Sequence, residues 1–208
     1  MTSSPSKPED EDHAEAQRFA AHYGLEHEHD RRDLTHHWDR YPFGLGSWRR
    51  ARNIVRGTLH GRSITAFEYH YALLSDTSSE LDAFRNFLVC VVDLDHPVPA
   101  LTAVLRDREF WHEGELEGTE FPVNHDPWRE RYLLVGDDAD FARAVVTDEH
   151  AARCAEVDVK AEWRFAGDDF LLWIESVRVG NGLSAALEVL LPLINAAEAF
   201  RPGASASV

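Results

Sequence analysis

Three groups of residues carry types and spacings that could do chemistry. The first is His27-Glu28-His29-Asp30, followed by Asp33, His36 and His37. Read as a helix, this stretch puts His29, Asp33 and His36 or His37 on one face. Imidazole with carboxylate is a ligand set for a divalent metal such as zinc. The second group is Arg49, Arg50, Arg52 and Arg56, with Arg62 across a predicted hairpin. Guanidinium forks match carboxylate and phosphate oxygens, so its chemistry would be capture of an anion. The third is Glu68 with His70, two residues apart on one strand face. A carboxylate can orient an imidazole as in a general-base pair, or both can simply line a pocket.

Each group also has a plainer reading. The histidines sit in a charged connector of a chain that carries twelve histidines in all. They depart from the His-x-His-x-Asp-His signature of metallo-β-lactamase-like hydrolases, because Asp30 follows His29 directly and no histidine follows it. The arginines can pair internally with abundant carboxylates. Glu68 and His70 can be a surface pair on a sheet, since no nucleophile elbow, glycine-rich phosphate loop or paired cysteines accompany them.

The formal net charge of −16 repels nucleic acid and anionic membrane. Residues 41–74 run against that balance, with five arginines and one glutamate. An anionic small molecule or an acidic protein segment is therefore the partner this stretch would attract, and self-association is left open. Two cysteines, Cys90 and Cys154, do not make a disulfide scaffold. No apolar run approaches the roughly 20 residues that span a bilayer, and the polar, acidic N-terminus has no signal-peptide h-region. The expectation is a reduced, cytoplasmic protein.

The elements that must position these groups centre on Asn53–Leu74. Two β-prone runs flank His60-Gly61-Arg62, a hairpin signal. On the second run Thr65, Phe67, Tyr69, Tyr71 and Leu73 share one face and can seed a core, leaving Ile64, Ala66, Glu68, His70 and Ala72 on the other. Residues 1–11 read as a disordered head and residues 13–23 as a helix with Ala16, Phe19, Ala20 and Tyr23 in a stripe, stopped by Gly24. Residues 25–38 read as a polar connector. Phe84–Asp93 reads as a central strand ended by Pro97 and Pro99, and Ala100–Leu105 as a further one. Trp111 and Trp128 fall in a charged loop and are the aromatics expected to be exposed. A strand over residues 129–135 precedes two short helices led by Asp138 and Thr147. A second hairpin is predicted over Asp158–Ile174, turning at Gly167-Asp168. In it Val159, Ala161, Trp163 and Phe165 face inward and Lys160, Glu162 and Arg164 face water. Leu183, Leu187, Leu190, Leu191 and Ile194 form the stripe of a C-terminal helix that Pro192 kinks or restarts.

The sum is α+β: a mainly antiparallel sheet of about seven strands with an N-terminal helix and a C-terminal amphipathic helix. The element order resembles that of the pleckstrin-homology barrel. The expected organisation is one domain over residues 12–201, with a disordered tail from residue 202. The run Tyr41-Pro-Phe-Gly-Leu-Gly, then Asn53, Gly57, Gly61-Arg62 and Ala66-Phe67-Glu68-Tyr69-His70-Tyr71, together with Trp163, Gly167-Asp168-Asp169 and Trp173, resembles a family of uncharacterised actinobacterial hypothetical proteins. That resemblance implies a shared fold and no catalytic residues. The reading is a non-enzymatic cytoplasmic binding or scaffolding domain. The alternatives are a metal-binding protein or metal-dependent hydrolase built on the histidines, and recognition of an anionic ligand or lipid headgroup by the arginines.

Overall fold

The predicted hairpin is formed by strands β2 (Ser47–Leu59) and β3 (Arg62–Leu74). His60 and Gly61 connect them with φ of 51° and 79°. Positive φ at both central positions is what a two-residue type I′ turn requires. A computed structural model describes residues 8–74, 81–107, 116–156 and 160–201 of the chain. Val159 and Trp111, both named above, lie outside the described residues.

The remaining elements are α1 (Pro8–Tyr23), β1 (Glu26–Asp30), a 3-10 turn at Asp33–Thr35, β4 (Leu81–Leu105), β5 (Thr119–Glu120), α2 (Asp126–Arg131), β6 (Tyr132–Gly136), α3 (Ala139–Val145), α4 (Asp148–Glu156), β7 (Glu162–Glu175) and α5 (Leu183–Ala199). Among the described residues seven strands form an antiparallel sheet in the order β1-β2-β3-β4-β6-β5, and β7 pairs with β4. The α+β class therefore stands, with a helix at each end. The chain divides into two compact units, Met1–Val92 with Trp173–Ser184, and Asp93–Leu172 with Ala185–Val208. Each unit is built from two separate stretches of chain.

In the first unit the aromatic face of β3 is the core: Phe67, Tyr69 and Tyr71 are buried, as are Phe43 and Phe87. Phe43 packs on Tyr69 with ring centroids 4.8 Å apart, and Tyr41 meets Trp173 edge-on. Helix α1 lays Ala16 and Ala20 into this unit. It ends in a Schellman arrangement: Gly24 takes φ of 67° and the Leu25 amide donates to the Ala20 carbonyl at 2.8 Å. The helix begins at Pro8, inside the stretch expected to be a head.

In the second unit Trp163, Phe165, Phe170 and Phe141 are buried against one another. Helix α3 is capped by Asp138, whose carboxylate accepts from the Asp140 and Phe141 amides. Thr147 Oγ1 accepts from the His150 amide at the start of α4, as predicted. Helix α5 runs through Pro192 without a break and buries Leu187, Leu190, Leu193 and Ile194.

Six expectations need correction. The polar stretch 26–30 is a strand, because an end strand of a sheet tolerates charge and His on its exposed positions. Strand β4 passes through Pro97 and Pro99. The ladder to β3 ends at Val92 and the ladder to β6 starts at Leu101, so neither proline removes a donor those ladders use. The strand expected from residue 129 starts at Tyr132, because Pro127 opens a helical turn capped by His125. The second hairpin is one continuous strand, bent at Gly167, where φ is 67°; Phe165 and Phe170 meet across the bend at 4.8 Å. Along it Glu162 and Arg164 are buried, not exposed. Glu162 Oε1 accepts from the Leu105 amide and Arg164 Nε donates to Thr102 Oγ1, so each has a partner that water would otherwise provide. Trp128 is also buried, stacked on Tyr132.

Candidate binding cleft

Because Phe67, Tyr69 and Tyr71 turn to the core, Glu68 and His70 must take the other face of β3. Strand register extends that face sideways. Arg52 lies opposite Glu68 and Arg50 opposite His70 on β2. Asn86 lies opposite His70 and Phe84 opposite Ala72 on β4. Regular alternation along β2 is broken twice, between Ser47 and Arg50 and between Arg52 and Val55. Each break holds a residue in the left-handed region, Trp48 with φ of 59° and Asn53 with φ of 51°. Asparagine visits that region readily, whereas a tryptophan there is an outlier. Bulges of this kind re-aim side chains, and both residues line the same cleft.

The cleft has a volume of about 530 Å³, within the rough 300–1,000 Å³ range of small-molecule sites. Besides the strand residues, it takes Asp12 from α1, His29 from β1 and Arg178 from the segment after β7. Trp48 and Phe84, the two aromatic residues of its lining, are exposed, at 70% and 64%.

A hydrogen-bonded network centred on Glu68 underlies the cleft. Its carboxylate is 2% exposed. Oε2 accepts from Asn53 Nδ2 at 3.1 Å and from Arg178 Nη1 at 3.3 Å, and Oε1 from the Val179 amide at 3.4 Å. Burial pushes this carboxyl up. The His70 imidazole, the Asn53 amide, the Arg178 charge and the Val179 amide together outweigh it and hold the pKa below the usual glutamate value. Arg178 also reaches Asp12 Oδ2 at 3.1 Å. Burial raises the Asp12 pKa, and the Arg178 charge offsets only part of that.

Asn53 is spent at both ends. With Nδ2 donating to Glu68, its Oδ1 accepts from His13 Nδ1 at 3.2 Å. Gln17 Nε2 reaches the other ring nitrogen of His13 at 3.0 Å. His70 Nδ1 lies 2.5 Å from Asn86 Oδ1, so Nδ1 is the donor. Its Nε2 is buried without a hydrogen-bond partner, 3.8 Å from Glu68 Oε2.

The predicted residues distribute unevenly. Glu68, His70, Arg50 and Arg52 come together in the cleft. Arg49 points to the core face, where its charge partly opposes the burial that pushes the Tyr69 hydroxyl to about 12. Arg56 stands opposite Glu26 across the β1–β2 ladder with its Nε buried, and Arg62 closes the hairpin opposite Leu59. The metal set does not assemble. His27 and His29 sit on a strand rather than a helix, Asp33 is taken by Arg31 at 2.8 Å, and His37 packs on Trp38. His36 follows the 3-10 turn, where its amide donates to the Asp33 carbonyl. Among the described residues no three His, Cys, Asp or Glu side chains converge as metal ligands. His29 Nδ1 instead meets His13 Nδ1 at 3.0 Å. The His27 ring lies 4.9 Å from that of His13, and burial, with His13 and His29 adding to it, lowers the His27 pKa.

The cleft residues that the sequence reading misses are Asp12, Trp48, Asn53, Phe84, Asn86 and Arg178. Phe84 and Asn86 follow the period-two rule along β4 and were legible on that ground. Trp48 and Asn53 break the period. Asp12 and Arg178 arrive from opposite ends of the sequence with no local signal.

A scan of the sequence against protein-family models finds no match, and a search of curated proteins finds none either. A solved structure is similar in fold, that of the mycobacterial trehalose monomycolate transport factor A, TtfA. The TM-score is 0.58 at 14% identity, covering 89% of this chain and 91% of that one. At that identity the likeness concerns the fold.

Proposed function

We propose that this chain is a non-enzymatic, cytoplasmic binding protein of actinobacterial type, whose small polar ligand occupies the cleft of the first unit. One observation carries the reading. Two strained bulges, a buried carboxylate network and exposed aromatic rings are spent on the walls of a single 530 Å³ cleft. Strain persists where the surrounding structure over-determines it, and it clusters at ligand sites. A transport factor for trehalose monomycolate with this fold is in keeping with binding or scaffolding. No helix of the described residues is long and apolar enough to cross a membrane. Arg50 and Arg52 support a second reading, in which the ligand is an anion.

The test is a thermal-shift screen of saccharides, dicarboxylates and inorganic phosphate, with the mass of each probe checked afterwards. At least one class should raise the melting temperature saturably and be recovered unchanged, since a ligand at about 100 times its Kd stabilises by about 2.7 kcal/mol. The shift should vanish in the His70→Ala/Arg52→Ala double variant. No shift by any class, a shift that survives the double variant, or consumption of the probe would overturn the proposal.

A further inference from the structure

Three imidazoles meet where α1 lies on the sheet. His27 and His29 share one face of β1, because residues two apart on a strand point the same way. His13 comes to them from the first half of α1. Its ring centroid is 4.9 Å from that of His27 and 4.6 Å from that of His29. The Nδ1 atoms of His13 and His29 are 3.0 Å apart. Two ring nitrogens hydrogen-bonded to each other hold one proton between them, so one nitrogen is bare. An imidazolium carries a proton on both nitrogens. Whichever ring supplies the bare nitrogen, the contact cannot survive with both rings charged. His27 adds a buried Nε2 without a hydrogen-bond partner, so a charge on that ring would be poorly solvated.

The surrounding charges are largely committed elsewhere. On α1, Asp12 is bridged to Arg178 at 3.1 Å and Glu15 lies against Gly180. On β1, Glu26, Glu28 and Asp30 are exposed and alternate with the histidines. Glu28 is 3.9 Å from Arg31, while Glu26 and Asp30 stand opposite Arg56 and Arg52 of β2. On β3, Glu68 is taken by Asn53 and Arg178, with His70 3.8 Å from it. Burial, then His13 and His29, hold the His27 pKa below the usual histidine value. A base that folding keeps neutral contributes stability above its unfolded value of about 6.5 and loses it as pH falls toward the folded one. Asp12 has the opposite sign: its pKa is raised by burial, so its protonation favours the folded state.

Little else holds this end of the helix. Ala16 and Ala20 are the buried residues of α1 among those described, and alanine brings little apolar area. The first half of α1 also builds the cleft. Asp12 and His29 line it, and His13 reaches Asn53, which in turn donates to Glu68.

We infer that His13, His27 and His29 form an acid-sensitive latch. Near neutral pH they clasp the first half of α1 to β1 and complete the cleft. On protonation they repel one another, that half lifts away, and the cleft loses the wall that carries Asp12. The latch acts on this wall whatever the cleft holds.

The experiment is hydrogen exchange of the full chain, read by mass spectrometry and corrected for the intrinsic effect of pH on exchange. It compares about pH 7.5 with about pH 5.5, on either side of the ordinary histidine value. Amides of residues 12–17 should lose protection about tenfold or more at the lower pH, because a detached helix of 16 residues is marginal in water. Amides of β6 and α3 in the second unit should keep theirs. His29→Gln, at an exposed position, can still hydrogen-bond and cannot charge, so most of the loss should disappear. His27→Phe keeps a ring and should reduce the loss. His29→Arg carries a fixed charge and should show the loss already at neutral pH. No loss in the parent, a loss equal in both units, or a loss unchanged in His29→Gln and His27→Phe would overturn the latch. So would full protection of His29→Arg at neutral pH. A loss abolished by Asp12→Asn alone would assign the response to the carboxylate and overturn it too. Circular dichroism should show His29→Gln folded at neutral pH; an unfolded variant would make His29 a packing residue and not a latch.

Discussion

Glu68 and Glu162 are both glutamates with almost no exposure, on alternating strands, in different units. Their surroundings differ in kind. Glu162 accepts from the backbone amide of Leu105, with Trp163 and Phe165 beside it in the sequence and Arg164 two residues on. Glu68 collects donors from Asn53, Arg178 and Val179, contributed by β2 and the segment after β7, and an open cleft lies over it. Burial of a charge alone thus separates nothing. The difference lies in free volume beside the carboxylate and backbone held in sparsely populated conformations.

The largest effect that sharpens this comparison is Trp163→Ala, in the unit of Glu162. Its ring is 2% exposed, so its loss should cost roughly 3–5 kcal/mol. Chemical denaturation checks this, and a variant as stable as the parent would remove the second unit's core from the account. Arg178→Ala should cost about 2 kcal/mol. It strips a charge-assisted donor from the buried Glu68, discounted from the larger cost of an orphaned buried charge because the Arg178 side chain is 37% exposed. If denaturation midpoints coincide, Glu68 is solvated by other means.

Asn53 offers a finer test. Asn53→Ala loses both hydrogen bonds and keeps the unfavourable φ of 51°, whereas Asn53→Gly loses the bonds but accepts that φ. The glycine variant should be the more stable by about 1 kcal/mol, and the reverse order would show that backbone strain there is negligible.

Acidity distinguishes the carboxylates further. The folded pKa of Glu68 is depressed, so the stability it contributes is present above the unfolded glutamate value of about 4.3 and is lost as pH falls through the lower folded value. Asp12 is shifted the other way, and its contribution is present at low pH and lost as pH rises through its raised value. Melting curves below pH of about 4.3 should therefore fall more steeply for the parent than for Glu68→Gln. Parallel curves would contradict the network. The smallest expected change is Trp48→Ala, with the side chain 70% exposed. Stability should stay within about 0.5 kcal/mol while any ligand response is lost. A large destabilisation would make Trp48 a packing residue instead.

How much of this could be read from residues alone follows from which signals are local. The aromatic alternation of Phe67, Tyr69 and Tyr71 and the His60-Gly61 turn are local, and they led to the correct hairpin, the correct face for Glu68 and His70, and the α+β class. The polarity of stretch 26–30 suggests a connector, whereas an end strand can be polar. The charge of Glu162 and Arg164 suggests exposure, whereas each finds a buried partner. Four residues of the histidine group are in or beside a strand and a tight turn, where helical spacing has no meaning. Trp48 and Asn53 were hidden by the bulges that make them useful. Asp12 and Arg178 were hidden by distance along the chain.

The bridge from Arg178 to Asp12 and Glu68 also dictates an order of events during synthesis. Helix α1 and strands β2 and β3 leave the ribosome long before residue 178 does. Until then Glu68 has neither that guanidinium nor the Val179 amide, and closing its strand face would desolvate an underpaired carboxylate. The first unit therefore completes only after the whole of the second unit's inserted segment, Asp93–Leu172, has been made. A nascent chain halted before Trp173 should hold the hairpin and lack the cleft.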